Sequence, residues 1–255
     1  MTLSFVVMCA LFGLLIGSFL NVCIYRLPQE TSVTWPASHC TSCRRPLSWF
    51  ENVPVLSWLV LRGRCRTCQA SISAMYPLVE LTTALVFAGG AGMYGLSALL
   101  VVRLGFACAL IVLFAIDLRH RILPNVITLP GIALGFLASW FVPPGWFSSL
   151  LGILAGGGVL FGIAEAYYRV REQEGLGMGD VKMLAMIGAF LGWPLMMLTL
   201  VFASLSGSIV GVGLMASGRG DMQAALPFGT FLALGAIVAA VAGDPILSWY
   251  LSFYP

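Results

Sequence analysis

Phe114-Ala115-Ile116-Asp117-Leu118-Arg119-His120-Arg121 ends an apolar run that begins near residue 97, and Leu123-Pro124 opens the next one. A run of about 20 apolar residues reads as a membrane-spanning helix. Proline suits the first turn of a helix, where its missing N–H costs nothing. The junction therefore predicts an antiparallel pair of spans with a carboxylate at its rim. Working outward, similar runs lie near 3–24, 76–95, 97–116, 124–142, 147–168, 182–192, 195–217 and 226–243. The stretch 182–217 is too long for one span, so a tight turn is placed at Gly192-Trp193-Pro194. The expected fold is an all-α polytopic membrane protein with about eight transmembrane helices.

Composition supports the same class. Of 255 residues, 60% are hydrophobic and 9% charged, against about 25% charged in a soluble domain. Placing the amino terminus outside makes 25–75, 117–123, 169–181 and 217–225 cytoplasmic, and these stretches with their edges hold every Lys and Arg except Arg103. The opposite orientation would export nearly all of them, against the positive-inside rule. The net charge of +3 thus reflects topology, and no nucleic-acid footprint is present. Leu3 to Leu20 lacks the basic flank of a signal peptide and has Arg26 on its other side, which predicts a retained first helix. Gly13 and Gly17 in that helix form a small-xxx-small pair suited to helix packing.

Residues 26–75 are the one long stretch unlike a membrane span, broken by Pro28, Pro36, Pro46 and Pro54. They predict a small cytoplasmic domain between the first and second spans. Cys40-x-x-Cys43 and Cys65-x-x-Cys68 are 21 residues apart, close to the spacing of a four-cysteine zinc site. The competing reading, two disulfides, requires an oxidising compartment, and six arginines in the domain favour the cytoplasm. Four thiolates complete a tetrahedral shell, so the zinc is assigned a structural role. His39 reads as a surface histidine, and Cys9, Cys23 and Cys108 as small packing residues. The expected division is a first helix at 1–25, the zinc domain at 26–75 and a membrane-embedded domain at 76–255.

Gly177-Met178-Gly179-Asp180-Val181-Lys182 carries the second isolated carboxylate. An ionisable group at the edge of a span is a functional-site hypothesis by default, and two carboxylates are what acid-base hydrolysis of a peptide requires. Asp117 also admits a plainer reading as an interfacial charge paired with Arg119 or Arg121. Gly177 and Gly179 read as residues that free the backbone and leave room for an extended substrate. Lys182, the only lysine, either bears on Asp180 or anchors its helix at the interface. Glu80 and Glu165 are packing residues or cavity-lining groups. Glu30, Glu51, Glu172, Glu174, Asp221 and Asp244 read as solvated charges. Neither a Ser-His-Asp arrangement nor a His-Glu-x-x-His motif is supported. Gly156-Gly157-Gly158 reads as helix packing.

These motifs together resemble the bacterial type IV prepilin peptidase family of Gly-x-Gly-Asp membrane aspartyl proteases. The resemblance rests on Gly17-Ser18-Phe19-Leu20-Asn21-Val22, Ile24-Tyr25-Arg26-Leu27-Pro28, both Cys-x-x-Cys pairs and Glu51-Asn52-Val53-Pro54-Val55-Leu56-Ser57-Trp58. It continues through Tyr76-Pro77-Leu78-Val79-Glu80, the Asp117 segment, the Gly177 to Lys182 motif and Pro227-Phe228-Gly229. It implies cleavage of prepilin or pseudopilin leaders after a glycine at the cytoplasmic face of the bacterial inner membrane. By position, Asp117 and Asp180 match the catalytic aspartates and the four cysteines match the zinc set. It also implies N-methylation of the new amino terminus from S-adenosylmethionine. The alternatives are a Gly-x-Gly-Asp protease for other signal peptides and a noncatalytic membrane component that binds pilin precursors.

Overall fold

A computed structural model describes residues 2–172, 177–217 and 226–253. Glu174 and Asp221, expected as solvated charges, lie outside the described residues, as do parts of the loops at 169–181 and 217–225. By packing, the chain forms two compact units, Met1–Val112 and Leu113–Pro255.

In the first unit, α1 (Leu3–Arg26) packs along α3 (Met75–Tyr94). The two glycines of α1 explain the closeness of that crossing. A Cβ on Gly13 would meet the Cα of Ala84 at 2.8 Å, and one on Gly17 the Cα of Glu80 at 2.7 Å. Without those side chains the backbones approach directly, as small residues allow in membranes. Between these helices lie a 3-10 turn at Trp49–Asn52 and the short α2 (Leu56–Val60). Arg26 turns back at the end of α1 and donates to the carbonyls of Ser32 at 3.0 Å and Pro36 at 2.7 Å. It thereby satisfies loop carbonyls that would otherwise be desolvated.

Helix α4 (Ala98–His120) leads into the second unit, which contains α5 (Asn125–Ala138), α6 (Trp146–Arg171), α7 (Met178–Ala216) and α8 (Phe228–Leu251). The first arm of α7 is its centre, with Met183, Leu184, Met186, Ile187 and Ala189 fully enclosed. Helix α6 meets it at Gly152 and Gly188, whose backbones touch. A Cβ on Gly156 would lie 2.8 Å from the Leu184 carbonyl, so the first residue of the triple glycine is used for packing. Gly192 interrupts α7 with φ 78° and ψ 170°, a region essentially restricted to glycine. Pro194 follows and lacks the N–H for a continuous ladder. The expected turn thus falls at Gly192, within what is otherwise one long helix. The second arm runs antiparallel to α8, as shown by the contacts of Gly235 with Thr199 and Gly207 with Phe231.

Among the described residues, α1, α4, α6, α7 and α8 are long and apolar enough to cross a membrane. The protein is a helical, multi-pass membrane protein. The span expected at 124–142 is realised as the 14-residue α5, about 21 Å long at 1.5 Å per residue. It ends at Ala138, and the Ser139 hydroxyl donates to the Phe136 carbonyl at 2.6 Å.

Candidate active site and metal centre

Asp117 lies three residues before the end of α4, and Asp180 is the third residue of α7. The fold of the second unit brings them within electrostatic reach of each other. Asp117 is buried, 4% exposed. Its Oδ2 accepts two hydrogen bonds from Thr230, one from the backbone N–H at 2.6 Å and one from the hydroxyl at 3.0 Å. Asp117 is thus more than the interfacial charge paired with Arg119 or Arg121 considered from sequence, although Arg121 remains within electrostatic reach. Asp180 sits in the first turn of α7, where free amides and the helix dipole favour a carboxylate. The backbone amides of Gly177 and Gly229 both bear on it. The arrangement places a buried and a half-buried carboxylate within electrostatic reach of each other, which suits sharing of one proton and activation of water.

The residues expected to support the aspartates take different places. Gly177 is the N-cap of α7 with φ −72°, and Gly179 also lacks a positive φ. Neither glycine uses the special backbone freedom expected of it. What Gly179 provides is space, since a Cβ there would lie 3.0 Å from the Cβ of Leu123. Lys182 donates to Asn125 Oδ1 at 2.9 Å and so ties α7 to the first residue of α5. Glu165 forms an exposed ion pair with Arg169 at 2.8 Å. Glu80 is buried and accepts the Val55 N–H at 2.7 Å, the role of a hydrogen-bonded packing residue.

Thr230 and Gly229 were not identified as site residues from sequence. Pro227-Phe228-Gly229 marked a resemblance without a role, and Thr230 carries no charge to distinguish it in an apolar run. A Cβ on Gly229 would meet Asp117 Oδ2 at 3.0 Å and Leu123 Cδ1 at 2.9 Å. The missing side chain lets α8 approach Asp117.

In the first unit, the ligand atoms of Cys40, Cys43, Cys65 and Cys68 all lie within 4.8 Å of one another. The Cys40 and Cys68 sulfurs are 3.7 Å apart, matching the edge of about 3.8 Å of a tetrahedron with Zn–S bonds near 2.3 Å. Each Cys-x-x-Cys lies on a tight turn followed by a left-handed residue, Arg44 at φ 57° and Gln69 at φ 58°. The turns close through Arg44 N–H to Cys40 O at 2.9 Å and Gln69 N–H to Cys65 O at 3.1 Å. Backbone amides of Cys43 and Ser42 point at the Cys40 sulfur and lower its pKa. Those of Cys68 and Thr67 hold Cys65 down at about 6. Cys68 goes the other way: although the Ala70 amide lowers it, burial and the neighbouring thiols push it up to about 11. It is the close approach of the four sulfurs that fits zinc.

Glu51, expected as a solvated charge, is instead buried, 7% exposed. It pairs with Arg45 at 2.6 Å and caps the Trp49–Asn52 turn through the Ser48 N–H at 2.9 Å. Hydrogen bonds from Arg45, then from the Ser48 amide, hold its carboxyl at about 2. The pair fixes the chain that follows the first cysteine turn.

Comparison with known proteins gives two family matches. Residues 11–93 match the bacterial peptidase A24 N-terminal domain, which includes the four cysteines. Residues 104–212 match the type IV leader peptidase family, which includes both aspartates. Similar proteins named prepilin leader peptidase/N-methyltransferase occur in several bacteria. One from Aeromonas salmonicida is 40% identical, covering 95% of this chain and 92% of the relative. One from Pseudomonas putida is 37% identical over 95% and 92%, and one from Pseudomonas aeruginosa 35% identical over 98% and 95%. No solved structure matches the chain.

Proposed function

The chain belongs to the type IV leader peptidase family, and from that premise we propose that it is a prepilin leader peptidase and N-methyltransferase in which Asp117 and Asp180 perform the hydrolysis. The observation that carries the assignment is the convergence of α4, α7 and α8 on the two carboxylates. One ionised carboxylate takes a proton from water, whose oxygen forms a bond to the scissile carbonyl carbon. The other, protonated, gives its proton to the carbonyl oxygen. The first carboxyl then passes its proton to the amide nitrogen while the second takes a proton back from a hydroxyl of the intermediate. The C–N bond breaks, the leader leaves with a new carboxyl end, a new amino terminus is freed and both aspartates regain their starting states.

The substrate class is a prepilin or pseudopilin precursor, cut after a glycine. Its basic leader stays in water while its apolar helix lies in lipid. In this reading eight spans arise when α3, α5 and the two arms of α7 are counted, with residues 1–25, 26–75 and 76–255 as first helix, zinc domain and protease domain. The site is the bacterial inner membrane, with the amino terminus periplasmic and the aspartates and zinc domain cytoplasmic, as the arginine distribution favours. Cys40, Cys43, Cys65 and Cys68 would hold a structural zinc that crosslinks a domain too small to bury a large core. Gly177, Gly179 and Lys182 support the substrate site by spacing and tethering α7. N-methylation requires a methyl donor of the S-adenosylmethionine type, to which no residue of this chain is assigned.

The test is cleavage of a purified precursor by the reconstituted protein, read by the mass of the product amino terminus. The expected result is leader loss after glycine, plus one methyl group when the donor is present. Cleavage independent of that glycine would favour a broader signal-peptide protease. Binding without cleavage would overturn the enzymatic reading.

A further inference from the structure

The chemistry of two aspartates leaves the first turn of α8 without a role. That turn begins after Pro227, which offers no side-chain cap, so its amides need acceptors from elsewhere. They find the aspartates: the Gly229 amide bears on Asp180, and the Thr230 amide donates to Asp117, while also lying 3.2 Å from the Pro227 carbonyl. The Thr230 hydroxyl donates to the same Asp117 oxygen. Thr230 is 5% exposed, so the contact is sheltered from competing water. A carboxylate oxygen has two lone pairs, and here two donors meet them.

We propose that the Gly229–Thr230 turn positions the aspartate pair, and that the Thr230 hydroxyl is its specific positioning group. The Thr230 amide and hydroxyl hold Asp117 from α8, and the neighbouring Gly229 amide faces Asp180 on α7. The two donors on Oδ2 fix the rotation of the Asp117 carboxyl and leave Oδ1 for water and the exchanging proton. Thr230 acts through Asp117 and does not touch the substrate. Glycine at 229 is needed for the same contact, because any side chain there would press on Oδ2. This role rests on the peptidase reading above and extends it to α8.

The test compares Thr230→Val and Thr230→Ser with the parent protein in the reconstituted precursor assay. Valine preserves volume and the backbone donor but removes the hydroxyl. Losing one hydrogen bond to a charged group predicts a fall in kcat of about 10- to 100-fold, with KM little changed. Serine restores the hydroxyl and should recover most of the rate. Equal melting temperature and zinc content show that the fold is retained. If valine unfolds the protein, Thr230→Ala against Thr230→Ser gives the same comparison, since the two differ only by the hydroxyl. A valine or alanine variant as fast as serine, a serine variant as impaired as valine, or a loss confined to KM would overturn the role. Failure of the parent protein to cut would instead overturn the peptidase reading, so the two outcomes are separate.

Discussion

Asp117 and Asp180 stood out as candidates because carboxylates are scarce in this chain and each lies at the edge of an apolar run. Thr230 was not, because its role depends on a contact 113 positions away in sequence. Gly179 was expected to free the backbone near Asp180, whereas in the structure it makes room beside Leu123. Gly179→Val should therefore push the first turn of α7 away from Leu123 and misplace Asp180. A displacement of this kind predicts a loss of cleavage of about 10- to 100-fold, with zinc content unchanged. Cleavage at the parent rate would show that the Leu123 contact does not set the position of Asp180.

At the scale of elements, the cysteine spacing predicted the clustering of the four sulfurs, whereas the burial of Glu51 was hidden because Arg45 meets it across an irregular turn with no helical period. Cys40→Ser should remove one of four ligands and release the metal, measured as zinc per chain after purification; full retention would exclude Cys40 from the ligand set. Glu51→Gln should lower the melting temperature of the zinc-loaded protein at pH 7. The folded Glu51 sits at about 2, below its ordinary value of 4.5, so its contribution is complete above 4.5 and is lost as pH falls through about 2. Read on metal-free protein, so that acid release of zinc does not intervene, the gap between parent and variant should close over that window. A gap independent of pH would mean that packing, not charge, accounts for the loss. In α7, length alone predicted a break, and Gly192-Trp193-Pro194 located it. Gly192→Ala must adopt φ 78° and face Pro144 Cβ at 2.8 Å. It should cost about 1–3 kcal/mol from backbone strain alone, read as a lower melting temperature.

At the scale of the whole molecule, apolar run lengths predicted a helical membrane protein, and among the described residues five helices are long and apolar enough to cross a membrane. Run length was less informative for α5, because Ser139 ends the helix while the surrounding residues remain apolar. Pairing of helices was not legible from hydropathy, since lipid-facing and buried positions are equally apolar; here glycine contacts specify it, as at Gly13, Gly17, Gly152 and Gly188. The proposed mechanism depends on that pairing, for the two carboxylates come from helices distant in sequence and a third helix donates to Asp117. The most direct measurement is the rate of leader release from a purified precursor by reconstituted parent protein, Asp117→Asn and Asp180→Asn. Asparagine keeps the shape of the side chain but cannot exchange the proton. Each variant should lose about 10²- to 10⁴-fold in rate while retaining its fold and zinc, and the parent should show a bell-shaped pH profile whose two limits belong to the pair. Cleavage at the parent rate by either variant would contradict the two-aspartate account.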